Sequence, residues 1–267
     1  MSVKKFVVIS ISSGIGGALA ESLLAKGHQV IGTFREWSPS LQSLTARSIP
    51  TVRCDLSDMN SVSEALGYLK PLSSDWDGLI LAAGTMKPLG PFETVDFEEW
   101  AGSIEVNLIQ QFRIVRELLS SRNMNASSSV LFFAGGGMNS SPENVSAYTV
   151  SKIAGTKLIE LLAAEIRDVR FFSVGPGWVN TKIHSEMFEA GSKAGVQFHR
   201  TEERFASGDF VSMKEVVECC EWLIFSQSSS LSGRNFSVAN DPWGEAKLIE
   251  ELGEDSSKYK LRRSGNS

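Results

Sequence analysis

The sequence predicts an α/β fold: a doubly wound parallel sheet of about seven strands with helices on both faces. Three observations predict it. Short runs rich in Val, Ile, Leu and Phe alternate with longer stretches of helical period along the 267 residues. The runs are continuous in apolar residues, as strands buried on both faces must be. The first run also passes directly into a glycine-containing turn and a helical pattern, the opening unit of such a sheet.

In order, Phe6-Val7-Val8-Ile9 is the first strand, and Ile15, Ala18, Leu19 and Leu23 give the next segment one apolar helix face. Val30-Ile31, Val52-Arg53-Cys54 and Leu79-Ile80-Leu81 follow, each with helical patterning behind it. Val130-Leu131-Phe132-Phe133 and residues 169–174 repeat the theme. Residues 182–212 fit least well, because they mix glycines, two histidines and several charges. They read as an insertion with short helices, either a lid over a substrate or a disordered excursion. No linker, repeat or composition break divides the chain. It reads as one domain over residues 1–267, with residues 241–267 as a C-terminal tail.

Composition narrows the partners. Lys plus Arg is 26 and Asp plus Glu is 31, a net charge of −5, which argues against nucleic acid or an anionic membrane. The longest apolar runs reach five residues (residues 79–83 and 130–134), whereas a spanning helix needs about 20. The first ten residues, MSVKKFVVIS, carry no secretory pattern, so a cytoplasmic protein is expected. Cys54, Cys219 and Cys220 form no C-x-x-C pair, so neither a disulfide framework nor a metal site is expected.

Two local patterns carry chemistry. Ser10-Ile11-Ser12-Ser13-Gly14-Ile15-Gly16 lies between a strand and a helix, where glycines let the backbone approach a pyrophosphate held by free N–H groups. An ordinary tight turn is the alternative. Tyr148 and Lys152 are four apart at the start of an apolar-periodic helix, which puts both on one face. A tyrosine of pKa near 10 needs about 4 kcal/mol of preference for phenolate to reach about 7. A neighbouring ammonium in a dry site can supply much of that.

With these motifs the chain resembles a classical short-chain dehydrogenase/reductase over roughly residues 4 to 240. The family turn T-G-x-x-x-G-x-G appears as Ile9-Ser10-Ile11-Ser12-Ser13-Gly14-Ile15-Gly16, with Ser10 where the first glycine is usual. Ser232 to Val238 matches the last strand, completing a Rossmann-like sheet. The resemblance implies a nicotinamide cofactor contacted by Ser10, Ser12, Ser13, Gly14, Ile15 and Gly16. Beside the adenine it places Asp55 with Leu56. Asp55 could instead cap the following helix, although Ser57 or Asp58 suits that role better. Arg35 ends the second strand with Phe34 in the usual acidic position, which favours NADP(H) over NAD(H); a solvated arginine is the alternative.

The family's N-N-A-G is Leu81-Ala82-Ala83-Gly84 here, keeping the small Ala83 and Gly84 beside the cofactor but losing both asparagines. Pro176, Gly177, Val179 and Thr181 match the P-G-x-V-x-T segment. The resemblance makes Tyr148 the general acid and Lys152 its activator and ribose anchor. It makes Asn107 the support of a water relay, a role compatible with that of a helix-kink asparagine. The catalytic serine position is Gly135, within Phe133-Ala134-Gly135-Gly136-Gly137-Met138. Losing such a donor costs about 2.7–4 kcal/mol. N–H groups of Gly135, Gly136 and Gly137, or the hydroxyls of Ser140 or Ser141, could compensate.

The implied function is hydride transfer between nicotinamide and a small carbonyl or secondary alcohol. The rival is a catalytically impaired NADP(H)-binding protein acting through interaction. A nucleotide-sugar epimerase or dehydratase of the extended family would require a sizeable C-terminal substrate domain, which the sequence lacks. Family members also assemble, so a homodimer or homotetramer is expected through helices near 100–120 and 150–167. Leu108, Phe112 and Val115 would form one apolar edge, and Leu158, Leu161 and Leu162 the other. The tail reads as solvated or wrapped on another subunit.

Overall fold

Apolar runs that alternate with helical segments can bury both faces only in the middle of a layered sheet, and that is where they sit. The computed structural model describes residues 2–181, 183 and 185–263. Among them β1 (Lys5–Ile9), β2 (Gln29–Phe34), β3 (Thr51–Arg53), β4 (Gly78–Leu81), β5 (Ser128–Phe133), β6 (Val169–Gly175) and β7 (Arg234–Ser237) form one sheet in the order β3-β2-β1-β4-β5-β6-β7. Every pairing is parallel. The chain winds outward from β1 in one direction and from β4 in the other. The crevice beyond the strand ends at that switch point is where such sheets bind ligands.

Successive strand residues feed opposite cores, which is why the runs lack polar alternation. Phe6, Val8, Phe172 and Val174 pack against α1 (Gly14–Ala25) and α9 (Met213–Phe225) through Leu19, Leu23, Cys219, Cys220 and Leu223. Val7, Ile9, Phe132 and Phe171 face α3 (Met59–Leu72), α5 (Gln110–Leu118) and α6 (Ser146–Glu165) through Leu66, Leu69, Ile114, Leu118 and Ile159. The short α2 (Pro39–Thr45) follows β2, and α4 (Phe97–Ile104) precedes α5. Asp58 caps α3 by accepting from Asn60 N, which leaves Asp55 free of that duty.

The described part of the insertion forms α7 (Ser185–Ala190), a turn over residues 191–194, and α8 (Val196–Ser207). Met187 anchors it against Leu89, Val145 and Ala194. Lys182 and His184 of the insertion lie outside the described residues. After α9 (Met213–Phe225) and β7, α10 (Ala246–Glu254) leads into the tail. No helix among the described residues is long and apolar enough to cross a membrane.

Two sequence expectations need correction. The tail folds back on its own chain up to Arg263 while residues 253–257, Arg262 and Arg263 stay exposed; residues 264–267 lie outside the described residues. Tyr259 packs edge-on against Phe236 with ring centroids 5.6 Å apart, and its carbonyl accepts from Asn235 N at 2.9 Å. Arg262 pairs with Glu160 at 2.7 Å. Aromatic burial and paired charges outweigh the freedom of a short basic tail. Val115, expected on an outer edge, is instead buried in the core, on the face of α5 that packs with Ile114 and Leu118 against the sheet. Ile109, Val150 and Leu161 are the exposed apolar residues of these helices.

Candidate active site

The first turn of α1 is built by backbone conformation. Ser10 adopts φ 68, the left-handed region that glycine enters freely and serine does not, and its N–H donates to Thr33 Oγ1 at 3.0 Å. Ser13 caps α1 by accepting from Gly16 N at 3.0 Å. A Cβ on Gly16 would lie 2.4 Å from the Ser10 carbonyl oxygen, so this turn closes only around a glycine. Gly14 and Ile15, whose N–H groups have no intrahelical acceptor, line a cavity of about 1230 Å³.

That cavity spans the C-terminal ends of the strands. Ser10, Ser12, Ser13, Arg35, Asp55 and Leu56 line it toward β2 and β3, and Ala83, Gly84, Pro176, Gly177, Val179 and Thr181 line its middle. Gly135, Gly136, Gly137, Ser140, Tyr148 and Lys152 line it toward β5 and α6. Of the residues the sequence nominated, Gly16 and Asn107 lie behind its wall. Arg35 is 3.6 Å from Glu36 and mostly exposed. Burial opposes the charge on Asp55, but hydrogen bonds from Ser57 and the nearby Arg35 and Arg53 hold its carboxyl below the usual range.

A glycine turn at a helix N-terminus, an arginine at the β2 end and small residues along the middle suit a dinucleotide: N–H donors for pyrophosphate and a cation for a 2′-phosphate. Among the described residues, no cluster of three or more His, Cys, Asp or Glu could hold a metal ion.

At the other end, Tyr148 and Lys152 project from successive turns of α6. Lys152 is buried, with Nζ 3.5 Å from the Ala83 carbonyl and 4.7 Å from the centroid of the Phe132 ring. Burial brings its ammonium down to about 7. Tyr148 moves opposite to the expected direction: burial, and then the Glu186 carboxylate, push its phenol up to about 12. Dehydrating the phenolate and placing it near a carboxylate both oppose its ionisation.

Asn107 sits in a π-helical turn, Glu105–Ile109, between α4 and α5, a device that re-aims side chains and recurs at functional sites. Its Nδ2 donates to the Thr85 carbonyl at 2.8 Å and to Ser103 Oγ at 3.1 Å, and its Oδ1 accepts from Thr85 N at 2.9 Å. Its own carbonyl accepts from Gln111 Nε2 at 3.0 Å, which also reaches the carbonyls of Val106 at 3.1 Å and Ala83 at 3.3 Å. The asparagine therefore fixes the loop after β4 as well as kinking its helix.

Gly135 leaves no gap. A Cβ there would lie 2.8 Å from Tyr148 Oη, so the phenol occupies the place where a serine would begin.

Sequence reasoning missed Gln111 and Glu186. Glu186 Oε2 accepts from Met86 N at 2.6 Å, and the Thr85 hydroxyl lies 3.1 Å from both of its carboxylate oxygens. A glutamate in an aperiodic segment and a glutamine on an amphipathic helix give no pattern to read.

The family model described as enoyl-(acyl carrier protein) reductase matches residues 9–240. An uncharacterized oxidoreductase of Schizosaccharomyces pombe is 24% identical over 237 residues, covering 86% of this chain and 94% of that protein. Dehydrogenase/reductase SDR family member 11 of Gallus gallus is 28% identical over 198 residues, covering 67% and 77%. Among solved structures, a single-residue variant of actinorhodin polyketide ketoreductase with NADPH superposes with a TM-score of 0.76 at 22% identity, covering 88% of this chain and 95% of that one.

Proposed function

The chain belongs to the short-chain dehydrogenase/reductase family of oxidoreductases, and on that premise we propose that it is an NADP(H)-dependent carbonyl reductase of small molecules. The observation that carries the proposal is the placement of Tyr148 and Lys152 on one helix face at the end of a cavity whose other end is the α1 glycine turn. The dihydronicotinamide, when bound, supplies the hydride.

This chain's residues handle the proton and the geometry. Tyr148, protonated at neutral pH because its phenol lies near 12, holds the proton that the substrate carbonyl oxygen needs. Lys152 stabilises the phenolate as it forms and holds the cofactor ribose. Asn107 keeps Ala83, Gly84 and Thr85 in register against the cofactor. Arg35 pairs with a 2′-phosphate, which a guanidinium does bidentately. The ketoreductase neighbour solved with NADPH supports the same choice of cofactor.

The second reading, a cofactor-binding protein with impaired catalysis, is favoured by one observation: Tyr148 abuts Gly135, which offers no side-chain donor of its own to share the carbonyl oxygen. The two readings separate on Tyr148→Phe. In a working reductase, NADPH consumption with a panel of ketones falls by about 10² to 10⁴, while fluorescence titration shows unchanged NADPH affinity. Activity that survives the change intact rejects the mechanism, and no turnover in either protein favours the binding-only reading.

Assembly as a homodimer or homotetramer is part of the proposal, through the outer face of α4, α5 and α6 that exposes Phe97, Ile109, Val150 and Leu161. Light scattering at micromolar concentration should give a mass of two or four chains, and a monomer rejects it.

A further inference from the structure

The cavity carries a carboxylate that the proposed chemistry does not use. Glu186 enters from α7, is half-buried, and lines the substrate end. Its position is set by a chain of contacts and not by chance orientation. Thr85 and Met86, which hold its oxygens, directly follow Gly84, and Asn107 clamps the backbone of Thr85 on both its N–H and carbonyl sides. The same loop therefore fixes the wall beside the cofactor and the charge on the lid.

A carboxylate offers about four acceptor positions. The Thr85 hydroxyl and the Met86 N–H supply two hydrogens, which leaves room for a ligand donor.

The charge also stands where it acts on the reacting end, since Glu186 is, after burial, the cause that raises the Tyr148 phenol. Among the described residues, Lys87 on the same loop feels the Glu186 charge but makes its ion pair with Glu189 at 2.8 Å. Arg204, which lines the cavity from α8, is taken by Asp209. Burial strips Lys152 of part of its charge near neutrality. Arg200 also lines the cavity from α8.

We propose that Glu186 is a charge filter at the substrate end, admitting carbonyl compounds that carry an ammonium or a neutral N–H or O–H donor and rejecting those that carry a carboxylate or phosphate there. The assignment rests on the reductase reading of this site. It makes oxo acids and phosphorylated ketones poor substrates, because two anions in a partly dry cavity repel on the scale of tenfold or more in affinity.

The test uses the complex with NADPH and three ligands on one frame: 4-acetylbenzoate, 4-acetylbenzamide and 4-(aminomethyl)acetophenone. Binding is read by calorimetry and turnover by NADPH absorbance. The benzoate should bind at least about tenfold more weakly than the amide, and the amine as well as the amide or better. Glu186→Gln keeps acceptors for Thr85 and Met86 but removes the charge, so the three should come within about twofold of one another with NADPH affinity unchanged. Thr85→Val loosens the tether but keeps the charge, so the order of preference should persist.

A benzoate that binds equally well or better overturns the filter. So does discrimination that survives in Glu186→Gln, or failure of all three ligands to bind. Charge-ordered binding without turnover removes the reductase reading alone, while turnover without charge order removes the filter alone.

Discussion

Two glycine-rich turns flank the cavity, and they depart from the family pattern in opposite senses. At the end of β1, Ser10 adds a Cβ where glycine is usual; after β5, Gly135 removes one where serine is usual. The first change leaves the turn as it was, because the backbone still takes φ 68 and Gly16 still closes against Ser10. The second does not leave its surroundings alone, because Tyr148 fills the space released. A turn that works through main-chain N–H groups tolerates a side chain at the cost of strain. A site that works through side chains is rearranged by losing one.

The comparison can be broken most forcefully at Gly135. Restoring serine should not restore a donor. The new Cβ must push Tyr148 aside by several tenths of an ångström, and misplacement on that scale lowers the rate by about tenfold to 10². Gly135→Ala should lose as much. A gain in kcat for Gly135→Ser, with Tyr148 unmoved in a crystal structure, would defeat the argument.

A smaller effect should appear in stability at Lys152. Its folded pKa, about 7, lies below the unfolded value near 10.5. Between those values the unfolded chain holds a proton that the folded chain does not, so stability rises with pH across that window. Below pH 7 the fold carries the full cost of a buried ammonium. Lys152→Met should therefore raise the melting temperature by roughly 2–4 °C or more at pH 6, less at pH 9, while abolishing turnover. A shift equal at both pH values would show that the lysine is not the titrating group.

The smallest effect is expected at the other turn. Ser10→Gly removes left-handed strain of about 1 kcal/mol, part of which the freer unfolded glycine offsets, and should raise the melting temperature by at most about 2 °C with cofactor affinity kept. Destabilisation there would mean that the serine hydroxyl does something its geometry does not disclose.

How far each region could be read beforehand follows the same division. The inner strands were legible, because a strand buried on both faces has to be apolar throughout, and Phe6 to Ile9 or Val130 to Phe133 can be little else. The edge strand β7, Arg234–Ser237, carries no such run and was placed only by the family resemblance. The pairing of Tyr148 with Lys152 was legible because helical spacing alone puts the two on one face. The phenol's actual shift was not, since it depends on how much water reaches the ring and on Glu186, thirty-eight residues away in a segment with no period. Asn107 could be placed at a kink, but its hold on Thr85 depends on a π turn that no spacing rule marks. The tail's course was not legible because Arg262 finds its partner, Glu160, on α6, 102 residues earlier in the chain.

The folding-back of that tail matters for how the molecule behaves at high concentration. An outermost strand is a template for joining another chain edge to edge. On β7 the Asn235 N–H is taken by the Tyr259 carbonyl and the Ser237 N–H by Asp241 Oδ2 at 2.6 Å. The side chain of Arg234 binds the carbonyls of Leu252 and Asp255, pinning the route the tail follows. Asp241 and Tyr259 thus occupy the outward donors of the edge strand β7. A truncation before Lys258, or a fusion that pulls Tyr259 off Phe236, would uncover a backbone donor and an aromatic face together, making the protein stick to itself without touching the cavity.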